Sequence, residues 1–222
     1  MKEKKYYVFE MDTDVLNIIS AIILIFMFIL AYFIFKIDVF DGVNYIAVLI
    51  IYVFWMILHE ILHSVSYLIH GANFRYITFG VNLEKGVLCC LCKQNINKRN
   101  ILTSLLYPFM FIGVLTYVIA VIFNLKILLL LSICNLAGCS GDLIMFYSLS
   151  RLKNFEFSEF DNPIGFGLYS STDLSKKKLF GLKYIETKDE LKKENLKKIT
   201  VTKSSITIIL IFILILILGF VL

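Results

Sequence analysis

Residues 45–69 read YIAVLIIYVFWMILHEILHSVSYLI. An apolar run of about 20 residues suffices to cross the hydrocarbon core of a bilayer, so this stretch is expected to be a transmembrane helix. Three ionisable side chains, His59, Glu60 and His63, interrupt it within five positions. Each such group costs about 3 kcal/mol at the centre of a span, which makes chance placement expensive. The pattern is H-E-x-x-H on a helix. Four residues advance about 400°, so His59 and His63 stack one turn apart on one face. Two neutral imidazoles there can take two corners of a tetrahedral zinc site. Glu60 is rotated about 100° from His59, near enough to act on a water at that site without ligating the metal. Its expected role is general base, then general acid towards a leaving amine. The competing structural reading is a His–Glu hydrogen bond between packed helices.

Composition supports a lipid environment. Of 222 residues, 59% are hydrophobic and 18% charged, with a mean hydropathy of +0.83. Soluble domains carry roughly 45–50% apolar and about 25% charged residues, so a soluble enzyme is excluded. Further spans are expected near Val15–Phe35, Ile101–Phe123, Ile127–Leu149 and Ile206–Leu222, an all-α polytopic protein of about five transmembrane helices. Of the 22 Lys and Arg, all but Lys36 and Lys126 fall before the first span, between the second and third, or between the fourth and fifth. The positive-inside rule then puts the N-terminus and those two loops in the cytoplasm of what reads as a bacterial cell membrane. The net charge of +5 is explained by this placement, and no nucleic-acid partner is expected. The organisation reads as a cytoplasmic tail at 1–14, a four-helix core at 15–149, a basic loop at 150–204 and a last helix at 205–222. Residues 74–93, β-prone on both sides of Glu84-Lys85-Gly86, read as a small cytoplasmic β-hairpin beside the core. The cysteines, Cys89, Cys90, Cys92, Cys134 and Cys139, imply no disulfide framework.

A catalytic zinc needs a third protein ligand and an open position. Asp142 is the only other carboxylate within a span. Counted from the outer ends, His59 and Asp142 both lie roughly 21 Å deep at about 1.5 Å per residue. Gly138 and Gly141 beside it remove bulk for a close helix approach. Asn135, two turns earlier, is a candidate donor to a substrate carbonyl or oxyanion, or an interhelical hydrogen-bond partner. Cys139 reads as a small packing residue and His70 as an interfacial polar residue. Asp161, in a turn-like Asp161-Asn162-Pro163, is a lower-ranked third ligand.

H-E-x-x-H in one span and Gly141-Asp142 in a later one resemble the site-2 protease class of intramembrane zinc metalloproteases. The order of the elements over residues 45–170 resembles more closely a zincin peptidase family of bacterial membrane proteins related to that class. The resemblance implies Zn²⁺ held by His59, His63 and Asp142, Glu60 as the catalytic acid/base, and cleavage of membrane-embedded peptides or single-span proteins near the cytoplasmic side. Where site-2 proteases carry a Pro-containing Asn…Asp-Gly motif, this chain has Gly138 and Gly141-Asp142-Leu143. The alternative is a non-proteolytic membrane protein (a metal sensor, transporter component or assembly factor) using the same polar cluster. Oligomeric state is not legible.

Overall fold

The computed structural model describes residues 4–40, 44–82, 87–159 and 165–188. The span expected near residues 206–222, the end of the basic loop and Asp161 lie outside these residues. In chain order the elements are strand β1 (Lys5–Met11), helix α1 (Thr13–Ile34), helix α2 (Tyr45–Ile69) and the hairpin strands β2 (Ile77–Asn82) and β3 (Val87–Cys92). Next come β4 (Ile96–Asn97), helix α3 (Lys98–Ile122), the helix pair α4 (Lys126–Gly138) and α5 (Ser140–Ser150), and strands β5 (Phe155–Glu159), β6 (Gly165–Ser170) and β7 (Leu182–Lys188).

The all-α expectation is therefore wrong: the protein is mixed α/β. Helices α1, α2 and α3 are long and apolar enough to cross a membrane. The fourth expected span is a broken pair, α4 and α5, bent by 42° at Cys139. Five strands form one antiparallel sheet in the order β4-β5-β6-β1-β7. The segment read as an N-terminal tail thus supplies an interior strand. Tyr6, Tyr7, Val8 and Phe9 have the aromatic and β-branched character that suits a strand, and all four are buried. Phe9 stacks on Phe166 at 5.9 Å and meets Tyr184 edge-on, while Phe166 stacks on Phe157. Phe155, Phe157, Phe166 and Leu168 are buried with them, packed against Ile101, Leu105, Met145 and Leu149 from α3 and α5. One apolar core thus joins the sheet to the helix ends. A second, formed by Ala31, Tyr117, Ala120, Leu129 and Ile133, joins α1, α3 and α4.

Polar contacts fix the entries of the helices. Asp12 caps α1 by accepting from the Asp14 N–H, and it pairs with Lys183 of β7 at 3.0 Å. The hydrogen bond from Lys183 holds the Asp12 carboxyl below the usual carboxylate range. Asn44 caps α2 and Asn97 caps α3. Gly71, at φ +87°, closes the C-terminus of α2, a backbone conformation that favours glycine. Lys98 donates to the Ser150 and Leu152 carbonyls, tying the start of α3 to the end of α5.

Phe9→Ala should cost about 3–5 kcal/mol, the usual range for deleting a fully buried aromatic. Thermal unfolding of the detergent-solubilised protein checks this. A melting temperature equal to wild type would mean that β1 carries no structural weight.

Candidate metal centre

His59 and His63 lie one turn apart on α2, and Asp142 sits in the first turn of α5. The break at Cys139 starts a new helix there, so the carboxylate occupies a helix N-terminus, where negative charge is favoured. The Nε2 atoms of His59 and His63 are 3.2 Å apart. Asp142 places Oδ2 3.2 Å from the first and Oδ1 3.4 Å from the second. All three side chains are mostly buried. The geometry therefore brings together the three side chains that the sequence offers as ligands.

The rings are held from behind. The Nδ1 of His63 lies 3.0 Å from the Ser104 carbonyl, which can only accept, so that nitrogen carries the proton. Pro108 explains why this carbonyl is free: four residues on, it has no N–H to return to Ser104. His59 Nδ1 lies 3.1 Å from Asn135 Oδ1, while the Asn135 amide nitrogen is directed at the Pro108 carbonyl and the Cys139 sulfur. This orientation makes His59 Nδ1 the donor too. Both Nε2 lone pairs then point at the carboxylate. A backbone carbonyl or side-chain amide behind each ring is the pattern that orients metal-binding histidines.

A divalent ion fits this triangle. Tetrahedral bonds of about 2.0–2.1 Å imply ligand–ligand edges of about 3.3–3.4 Å, and the approaches between the three groups are 3.2 Å from imidazole to imidazole, 3.2 Å from His59 to Oδ2 and 3.4 Å from His63 to Oδ1. Cys139 competes for the role, since its sulfur lies within 4.8 Å of ligand atoms of His59 and Asp142. It approaches the Nδ1 edge of His59, at 3.9 Å. That edge is already taken by Asn135, so the sulfur lies behind the ring rather than at the triangle.

Glu60 borders the same space from the next position on α2, across from Cys90 of β3. Asn135, a sequence candidate for contacting substrate, is 5% exposed and gives its side chain to His59, Pro108 and Cys139. A π-helical stretch of α3, Phe109–Leu115, lets α4 approach. A Cβ at Gly113 there would lie 2.6 Å from Leu136 Cδ2 and 3.4 Å from Asn135 Nδ2. His70 caps the end of α2, its Nδ1 3.4 Å from the Ser66 hydroxyl and 2.7 Å from the Ser66 carbonyl, and takes no part in the triangle. Sequence reasoning missed Ser104, because a backbone carbonyl has no residue signature. The helix-internal Pro108 is the signal that could have revealed it.

Residues 52–155 match the model of a family described as "Putative zincin peptidase". The match takes in both histidines, Glu60 and Asp142, and supports a metallopeptidase of the zincin kind. Neither the curated proteins nor the solved structures contain a match.

Asn135→Leu should weaken divalent-metal affinity by about 10–100-fold through loss of the His59 partner. Pro108→Ala should weaken it less, by giving Ser104 a helical N–H partner that competes with His63. Competition titration with a chromophoric chelator measures both. Unchanged affinity in the Asn135 variant would contradict the orienting role.

Proposed function

We propose that the protein is an intramembrane zinc metalloendopeptidase that hydrolyses peptide bonds of membrane-embedded peptides or single-span proteins. The observation that carries this reading is the position of Glu60. Its carboxylate borders the cavity into which His59, His63 and Asp142 converge, yet it is not one of the three converging groups.

His59, His63 and Asp142 would hold Zn²⁺ and leave one position open, as a catalytic site requires. A bound zinc supplies Lewis acidity, lowering the pKa of a water and polarising a carbonyl. Glu60 takes a proton from the attacking water on its carboxylate as the C–O bond forms. It delivers that proton to the amide nitrogen as the C–N bond breaks, and relays the water's second proton to the same nitrogen, so that a carboxylate and an ammonium are released. Asn135 and the Ser104 carbonyl keep the two Nε2 atoms aimed and unprotonated throughout. Asp142 supplies the negative charge that offsets the cation.

A transmembrane helix hides its peptide groups in hydrogen bonds, so a substrate must be held extended to be cut. Strand β3 favours this. Among the described residues its strand partner is β2, and Leu88, Cys89, Cys90 and Leu91 line the cavity with Glu60. An extended segment can add to that edge by β-augmentation. The asymmetry of Lys and Arg supports a cytoplasmic position for the sheet, the hairpin and the cleavage site.

Glu60→Gln should retain zinc at wild-type stoichiometry and slow hydrolysis by about 10²–10⁴-fold. Mass spectrometry of a panel of single-span peptides co-reconstituted with zinc-loaded protein reads both cleavage and its position. Full activity in the variant would remove Glu60 from the chemistry. Zinc binding without hydrolysis by wild type would favour a sensor or assembly role for the same cluster.

A further inference from the structure

Two cavities meet at the metal centre. The larger, about 380 Å³, opens between α1, β3 and the sheet, where Met11, Asn17 and Phe166 form its far walls. The smaller, about 180 Å³, lies on the other side of His59 and is walled by Tyr52, Met56 and Leu88 with Asn135 behind. His59, Glu60, Leu88 and Gly138 border both. A chain crossing Glu60 therefore leaves one flank in each cavity, and the smaller one has room for a single side chain.

Its size and chemistry define what enters. An engineered apolar cavity of about 150 Å³ in another protein holds benzene, so 180 Å³ accommodates an isobutyl or benzyl group. Tyr52 and Met56 precede His59 by seven and three residues, so they fall on the metal-facing side of α2. With Leu88 they supply the apolar part of the wall, which His59, Glu60 and Asn135 complete with polar groups. Gly138 is the threshold between the cavities. A Cβ built there meets no atom of the described residues within 4 Å, so among these no helix packs on its open side. A larger residue at that position would extend into open cavity rather than into protein.

We infer that the cavity bounded by Tyr52, Met56, Leu88 and Gly138 is the subsite for the side chain next to the scissile bond, selective for one large apolar group. This rests on the metallopeptidase reading and adds its substrate preference. Gly138 sets the width of the entrance, and Met56 sets the depth.

The test uses full-length, zinc-loaded protein in detergent and hydroxamates whose substituent beside the chelating group is methyl, isobutyl, benzyl or naphthylmethyl. Affinities are measured by calorimetry, with zinc-free protein correcting for partition into micelles. In wild type, the isobutyl and benzyl compounds should bind at least about tenfold more tightly than the methyl compound, the usual discrimination of an apolar pocket. Gly138→Val should bring the three within about threefold of one another, with zinc content unchanged. Met56→Ala should move the optimum towards naphthylmethyl. Equal affinity for methyl and benzyl compounds in wild type overturns the subsite and leaves the peptidase reading standing. So does a preference that survives both substitutions. If zinc is bound and no hydroxamate binds, the metal has no open position, and both readings fall.

Discussion

Three groups that accept hydrogen bonds approach one another to 3.2–3.4 Å in a buried site: Nε2 of His59, Nε2 of His63 and the Asp142 carboxylate, which turns one oxygen to each imidazole. Each imidazole carries its proton on the opposite nitrogen, where Asn135 and the Ser104 carbonyl accept it. Lone pairs facing one another away from water repel, and burying such a group without a partner is costly. A proton can relieve one edge of the triangle, because a hydrogen bond joins two atoms. A divalent ion relieves all three edges at once. The rest of the molecule can be understood as the apparatus that keeps this arrangement from relaxing.

That apparatus is distributed over every layer. Pro108 frees one carbonyl, and the π-helical stretch after it admits α4 and Asn135. The break at Cys139 turns what would be one span into two helices and puts Asp142 at the start of the second. Lys98 anchors the far end of that second helix. The sheet then braces the helix ends. Its core is continuous with α3 and α5, and Met11, at the end of β1, also walls the larger cavity. Displacing β1 would therefore disturb both the stability of the fold and the shape of the cleft.

Much of the site was legible in the sequence because lipid penalises ionisable groups. Glu60 and Asp142 are conspicuous as carboxylates inside apolar runs, and counting residues from the outer ends puts His59 and Asp142 at similar depth. The fold was less legible. Strand β1 pairs with β6 and β7 more than 150 residues away, and no local pattern encodes such a pairing. A short apolar strand adjoining a span also reads as part of the approach to the membrane. The alternation of Phe155 with Phe157, and of Phe166 with Leu168, was a period-2 signal for a half-buried sheet. The positive charge around it is equally what a basic loop between spans carries. Gly138 and Gly141 were taken as helix-packing positions. A Cβ at Gly141 would come into ordinary contact with Met11 and Leu16, whereas one at Gly138 would meet none of the described residues within 4 Å. For Asn135 the sequence leaves two roles open, substrate donor and interhelical hydrogen-bond partner, and the structure shows the second, with the back of the His59 ring as its partner.

The central claim is that α2 and α5 together hold one metal ion through two imidazoles and a carboxylate, with no sulfur. X-ray absorption spectroscopy of the full-length protein loaded with one equivalent of zinc tests it most directly. The account predicts a four-coordinate shell of nitrogen and oxygen at about 2.0–2.1 Å with the outer-shell scattering of two imidazoles. A zinc–sulfur distance of about 2.3 Å that disappears on Cys139→Ser would contradict it, and so would an unchanged spectrum after Asp142→Ala.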